Sequence, residues 1–291
     1  LRVARLRFAV RRGPTNRVFE GGNNPTKAYL KSNGFSASMI NRFFHPLFSG
    51  IFLEDDLRTN ERMFRFVFRM MSKGNMVLPK EGIASAPRQL AQRLGDENIH
   101  LNCDVTIVDE TTVKIDGEAT SFDAVIRAFN STQHLEKRHV WTLHFDAEHS
   151  PLASNHVLLN ADVKQNDGLI AHLAVPSDVQ PSYAPAGRSL VTVTVVGERA
   201  DALRLTTPEA VEAAVRNEVN QWFPTQAPTW RLLATQHIEH ALPEVGSQRP
   251  LEATPRLNGF ECGDHTLHGS VEGALQSAEH VAKVVDAHLR G

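Results

Sequence analysis

The chain has 291 residues, 41% of them hydrophobic and 22% charged, with a net charge of -2. That is apolar material for two cores with no electrostatic bias, which argues against nucleic acid as a partner. Its cysteines, Cys103 and Cys262, stand far apart without a C-x-x-C, so a disulfide framework and a zinc ribbon are excluded and a reducing, cytoplasmic location is expected.

The N-terminal region reads as helical. Arg2, Arg5, Arg7, Arg11 and Arg12 among apolar residues are like a transit peptide in composition, but a solvated helix face is the preferred reading. Thr26 caps a predicted helix over 27–32 that Gly34 ends, and a second apolar-periodic run covers 63–71. The most apolar stretch, 43–53, is broken by His45, Pro46 and Gly50. It falls short of the roughly twenty residues of a transmembrane helix. It is therefore assigned to cavity lining, with peripheral membrane contact left open.

A strand is predicted over 75–78, a helix over 84–94 ended by Gly95, and three strands over 99–108, 111–115 and 122–128. From about Leu135 the pattern turns to β-branched alternation, with strands expected over 140–145, 156–159, 169–175 and 190–196. Thr207-Pro208-Glu209 starts a helix to about Trp222, and a strand over 230–239 leads to Ala241-Leu242-Pro243.

Near the C-terminus an apolar run closes on Gly263-Asp264, passes His265-Thr266-Leu267-His268, and opens Gly269-Ser270-Val271-Glu272-Gly273-Ala274 into a long amphipathic segment. This predicts a strand, a turn carrying one carboxylate, and a helix whose first turn lacks bulk. Such a start leaves backbone N–H groups free and the positive end of a dipole outward, a seat for an anionic or carbonyl-bearing cofactor. The alternative is an ordinary strand-to-helix packing turn with an N-terminal cap.

The pattern resembles the C-terminal flavin motif of the amine oxidase, protoporphyrinogen oxidase and phytoene desaturase superfamily. Further stretches sit in that family's order: Thr26 to Leu30 with Gly34-Phe35-Ser36, Leu78-Pro79-Lys80-Glu81-Gly82, Phe122-Asp123-Ala124-Val125-Ile126-Arg127-Ala128, and Tyr183-Ala184-Pro185. The resemblance implies an α/β fold of mixed α+β character, with a partial, Rossmann-like FAD-binding domain interleaved with a substrate domain of mixed sheet and helices. It implies a helical part of the substrate domain at 1–73, the middle of the FAD domain at 74–130, the substrate sheet and helix at 131–249, and the end of the FAD domain at 250–291. Asp264 is implied to hydrogen-bond the ribityl chain of noncovalent FAD, with the backbone at Val271 near the ring. The implied cofactor set is Val105, at the adenine end, with Gly263, Asp264, Gly269, Ser270, Val271, Glu272, Gly273 and Ala274.

The family also opens with a βαβ unit whose G-x-G-x-x-G turn binds the pyrophosphate. No such motif occurs here. The chain is therefore expected to lack an N-terminal part of roughly one hundred residues, and with it the firm retention of FAD.

The implied function is an FAD-dependent oxidoreductase that dehydrogenates a hydrophobic or amine substrate by hydride transfer to flavin N5. No catalytic residue is assigned, because the flavin carries the electron transfer itself. The alternative is a truncated, cofactor-free binding module or non-catalytic remnant; a nicotinamide-dependent dehydrogenase is a weaker third. Cys262, Asp264, His265 and His268 carry metal-ligand side chains, but their spacing matches no closed geometry and no metal is expected. His134, His139, His144 and His149 recur every five residues, on neither one strand face nor one helix face, and are read as surface residues. His237 and His240 are read the same way, with proton transfer as their alternative. Arg127 is expected to form an ion pair with a strand-end carboxylate.

Overall fold

Two runs of alternating β-branched residues, around 140–147 and 189–196, pair to form the centre of the largest sheet. The computed structural model describes residues 2–20, 22–129, 137–161, 168–243 and 260–291. In chain order come α1 Arg2–Arg11, α2 Thr26–Ser32, α3 Ala37–Met39, α4 His45–Phe52, α5 Glu61–Lys73 and α6 Ser85–Leu94. Four short strands follow: β1 Val105–Ile107, β2 Thr112–Ile115, β3 Glu118–Ser121 and β4 Ile126–Arg127. Then come β5 Lys137–Ala147, β6 Leu158–Leu159, β7 Ile170–Ala174, α7 Pro176–Val179, β8 Ser189–Val196 and α8 Gly197–Ala202. Last are α9 Pro208–Trp222, β9 Arg231–Pro243, β10 Phe260–Glu261 and α10 Val271–Arg290. The class is α/β with mixed helices and sheets. Among the described residues, no helix is long and apolar enough to cross a membrane.

The chain folds into two units, Leu1–Ile83 with Lys137–Leu242, and Ala84–Glu136 with Pro243–Gly291. In the first, the sheet runs in the order β6-β7-β8-β5-β9. β5 and β8 are antiparallel, in register from Val140 opposite Val196 to Ala147 opposite Ser189. One face presents Leu143, Phe145, Val191, Val193 and Val195, all fully buried. Against it packs α9, whose Val211, Val215 and Val219 recur every four residues and are buried, as an amphipathic stripe requires. Thr207 caps α9 by accepting the Ala210 N–H at 3.2 Å, so the predicted helix start stands.

The helical part of this unit closes over Phe44, Phe48, Phe52, Phe64 and Phe68 with Leu30 and Leu57. The Phe48 and Phe64 rings lie 4.7 Å apart, and each such buried ring contributes about 1.5–3 kcal/mol by leaving water. A π-helical turn over Ile40–Phe44 runs directly into α4. The second unit holds an antiparallel β1-β2-β3 sheet, a parallel β4/β10 pair, and α10, whose Val281 and Val285 are buried with Phe260 and Cys262.

Three expectations are corrected. Thr26 is the first residue of α2, with Pro25 at the cap, because its hydroxyl is already committed to the Thr59 carbonyl at 2.6 Å. Residues 75–78 are not a strand; this segment pairs with no strand and is pinned just beyond, where Tyr183 Oη donates to the Pro79 carbonyl at 3.0 Å and Ser182 Oγ to that of Lys80 at 2.7 Å. Finally, β3 was not predicted at all. Asp116 and Gly117, at φ of 51° and 94°, make the two-residue turn with two positive φ values that joins β2 to β3 as a hairpin. The domain boundaries expected at 130/131 and 249/250 lie outside the described residues.

Gly50 shows what brings α4 onto the sheet. His172 of β7 sends Nε2 to the carbonyls of Pro46 and Leu47, at 2.8 and 3.1 Å, and a Cβ on Gly50 would stand 2.4 Å from the His172 ring. Overpacking of this kind costs about 1–3 kcal/mol, against a helix-propensity gain of up to about 1 kcal/mol on replacing Gly by Ala. Gly50→Ala is expected to lower the unfolding free energy by about 1–2 kcal/mol in urea titration. Adding His172→Ala should then cost less than in the parent chain, and an additive double mutant would refute the contact.

Candidate flavin-binding turn

The turn is built on the parallel pair β4/β10. Phe260 N–H donates to the Val125 carbonyl and Cys262 N–H to that of Arg127, both at 2.9 Å. After β10 the chain swings through Gly263, whose φ of 141° lies in glycine's territory and which would clash with the His265 ring if it bore a Cβ. A single 3-10 turn, Asp264–Thr266, follows, and Ser270 then caps α10.

Ser277, buried on the second turn of α10, stitches the loop to the helix. Its Oγ accepts the Gly263 N–H at 3.0 Å and lies 2.6 Å from Thr266 Oγ1, which itself donates to the Gly263 carbonyl at 2.7 Å. At the helix start Ser270 Oγ accepts the Gly273 N–H at 3.0 Å and lies 2.9 Å from His268 Nδ1. Gly273 sits so close beneath that a Cβ would come within 2.1 Å of the His268 carbonyl oxygen. Only glycine lets the loop fold back this far.

Charge is arranged in a row beside the turn. Arg127 and Glu261, partners across the β4/β10 pair, lie 3.1 Å apart, which is the ion pair expected of Arg127. Glu261 also meets His265 Nε2 at 3.0 Å, and His265 Nδ1 faces Asp264 at the longer distance of 3.8 Å. Burial pushes the Glu261 carboxyl up, and the hydrogen bonds and charges of His265 and Arg127 more than offset this, so it is held below the usual range. Asp264 and then Glu261 raise the pKa of the buried His265. Burial pushes His268 the other way, against the opposing charges of Glu272 and Asp264.

The predicted residues are distributed as follows. Gly263, Asp264, Gly269, Ser270, Val271, Glu272, Gly273 and Ala274 form one continuous loop and helix start. Val105 lies elsewhere in the same unit, half exposed at the first position of β1 and paired to Ile115. Asp264 keeps 39% of its side chain exposed, and Val271 and Leu275 are 71% and 51% exposed. The N–H groups of Val271 and Glu272 stand outside the helix's own hydrogen-bond ladder. A carboxylate acceptor, free N–H donors and an open apolar shelf are what the ribityl and ring end of a flavin requires, so this donor set fits. Cys262 is buried, with its thiol pKa pushed up by burial and by Glu261. Among the described residues, no group of three His, Cys, Asp or Glu side chains is placed to hold a metal.

A second polar constellation went unnoticed in the sequence. His139 of β5 meets His237 of β9 and Asp201 of α8, each at 2.9 Å, and His237 stacks on Trp141 at 4.0 Å. His144 is half-buried on the opposite face, 3.0 Å from Thr192. His149, His237 and His240 are exposed, as expected, whereas His139 and His144 are part-buried, and their five-residue spacing sends them to the two faces of one strand. Their partners come from strands and a helix remote in sequence, and no local signal could have named them. His134 lies outside the described residues.

The two histidines of the turn should titrate in a fixed order. A raised His265 contributes stability that is present below the unfolded pKa of about 6.5 and is lost as pH rises through its higher folded value. His268, depressed, favours the folded turn above about 6.5 and costs stability as pH falls below it. In an NMR titration of the imidazole resonances, His265 is expected to gain its proton at higher pH than His268, and the reverse order would refute the charge row.

A family model described as flavin containing amine oxidoreductase matches residues 19–286. Among solved structures, an oxidoreductase from Methanosarcina mazei aligns at 17% identity over 97% of this chain and 72% of its own, with a TM-score of 0.73. Putrescine oxidase, wild type bound to putrescine, aligns at 14% identity over 98% of this chain and 75% of its own, at a TM-score of 0.65. Cyclohexylamine oxidase from Brevibacterium oxydans aligns at 11% identity over 99% and 74%, at 0.64. At such identities the likeness concerns fold alone. No curated protein matches the chain. The family match takes in nearly the whole sequence, including the strand, turn and helix just described, and the chain belongs to the flavin-containing amine oxidoreductase family.

Proposed function

We propose that the protein is an FAD-dependent oxidoreductase that dehydrogenates a hydrophobic or amine substrate, with noncovalent FAD on the unit formed by Ala84–Glu136 and Pro243–Gly291 and the substrate on the other. The observation that carries this reading is the turn itself: Asp264 part-exposed beside an uncovered helix start, with Val271 and Leu275 open to a planar ligand. The amine substrate class is drawn from putrescine oxidase and cyclohexylamine oxidase.

FAD, when bound, would supply two-electron oxidation chemistry. The chain's own part is binding and orientation. Asp264 would accept hydrogen bonds from the ribityl chain, the Val271 and Glu272 N–H groups would donate to the ring, and Val105 would serve the adenine end. His265, between Glu261 and Asp264, steadies that acceptor. Two free cysteines, Cys103 and Cys262, accord with a cytoplasmic setting.

A cofactor-free binding module is the second reading. It is motivated by the lack of a G-x-G-x-x-G turn in these 291 residues. Absorbance between about 300 and 550 nm, after FAD addition and desalting, separates the two, because bound flavin reports its own bands. Weak binding is expected, as flavin bands perturbed on FAD addition and largely lost on desalting, because these residues hold the ribityl and ring end without a pyrophosphate turn. Asp264→Ala should then weaken FAD binding by about 1–3 kcal/mol, the loss of a charge-assisted hydrogen bond. Flavin bands left unperturbed at saturating FAD would support the cofactor-free module, and an unchanged FAD affinity in the variant would remove Asp264 from the site.

A further inference from the structure

The first nineteen residues carry six arginines, Arg2, Arg5, Arg7, Arg11, Arg12 and Arg17, and the first acidic residue of the chain is Glu20. All six are exposed, and among the described residues none of them forms an ion pair. Arg127, Arg138, Arg199 and Arg216, by contrast, each meet a carboxylate. A chain of net charge -2 thus gathers a block of positive charge in one place.

α1 holds this charge on a fixed support. Leu6 and Val10 are buried in the helical core with Phe64 and Phe68 of α5. Arg7 donates to the Ser72 carbonyl at 3.3 Å, and the buried Arg69 of α5 reaches back to the Gly13 carbonyl at 2.6 Å. The only carboxylate of α5, Glu61, is itself buried, so α5 brings no exposed negative charge to the patch.

Phe8 stands at the centre of the arginines. At about 100° per residue it lies about 160° around the helix from both Leu6 and Val10, and Arg5 and Arg11 fall about 60° to either side of it. Its ring is 59% exposed, and the Arg12 guanidinium lies 4.0 Å from the ring centroid. A lone surface hydrophobe needs no explanation. An aromatic ring flanked by arginines without counter-charges, however, matches a partner that is anionic outside and apolar beneath, which is the layering of an anionic lipid bilayer. Single-stranded nucleic acid is held instead by successive rings on which bases stack, and α1 offers one ring, with one face taken by Arg12.

We propose that α1 is a membrane-docking face, on which Arg5, Arg11 and Arg12 meet the headgroups of an anionic bilayer and Phe8 enters between them. The inference lies within one unit and is independent of the flavin reading.

Sedimentation of the full chain with vesicles tests it. At about 50 mM salt, where screening is weak, the chain is expected to sediment with vesicles of about two parts phosphatidylcholine to one part phosphatidylglycerol. It should stay in solution with phosphatidylcholine alone, and added salt should release it. Each arginine at such a surface is worth about five-fold in partitioning, so Arg5→Gln, Arg11→Gln and Arg12→Gln together should weaken binding about hundred-fold. If that variant unfolds, Arg11→Gln alone, with about a five-fold loss, replaces it. Arg88→Gln with Arg93→Gln, on α6 of the other unit, should leave binding unchanged. Phe8→Trp, with an unchanged thermal midpoint as its control, should shift its emission to the blue on the mixed vesicles as the ring leaves water. Equal sedimentation with phosphatidylcholine alone, none with the mixed vesicles, an equal loss in the α6 control, or a Phe8→Trp spectrum indifferent to vesicles would each overturn the proposal. Salt-sensitive binding to a single-stranded oligonucleotide in place of the mixed vesicles would reassign the patch to nucleic acid.

Discussion

The loop between α4 and α5 carries the interaction on which the first unit depends. Arg138, at the start of β5, lies 3.1 Å from Glu54 and donates to the Phe52 carbonyl at 2.6 Å and to Thr59 Oγ1 at 2.8 Å. Glu54 is fully buried and accepts the Thr59 N–H with both oxygens, at 2.8 and 3.1 Å. Burial pushes its pKa up, and Arg138 and Thr59 oppose that. Removing either partner of such a pair leaves an uncompensated buried charge, typically a loss of 3–5 kcal/mol. Beside it, Arg199 of α8 meets Asp55 at 2.9 Å. Helices and sheet, separated by more than fifty residues of other structure, are joined here by guanidinium groups.

The same economy governs the C-terminal turn. A loop that exposes backbone donors to a ligand must satisfy its remaining polar groups internally. Ser277, Thr266 and Ser270 do so with short hydroxyls, and Gly263 and Gly273 remove the side chains that would otherwise block the fold-back. The row from Arg127 through Glu261 and His265 to Asp264 alternates in sign when His265 is protonated, so the carboxylate at the open end is supported by charge behind it. Rigid support of this kind is what lets one exposed acceptor orient a ligand.

Much of this was legible before any coordinates. The capped helix start over Gly269 to Ala274, whose first turn lacks bulk, follows from local capping chemistry, and so does the Thr207-Pro208-Glu209 start of α9. Arg127 amid apolar residues signalled a pair, though not that Glu261 was the partner. The Asp116-Gly117 hairpin carried a strong signal that was overlooked, and β3 was missed with it. Residues 75–78 have the apolar content of a strand but no neighbouring strand to pair with, and pairing is what defines one.

By itself the sequence determined the elements whose causes are local: the periodic stripe of α9, the alternation of β5 and β8, and the strand, carboxylate turn and capped helix near the C-terminus. The tertiary structure alone decided which distant groups meet. It brought His139 to His237 and Asp201, and Arg138 to Glu54. Local capping and periodicity act over a few residues, whereas register and long-range packing are set by the burial of whole faces at once.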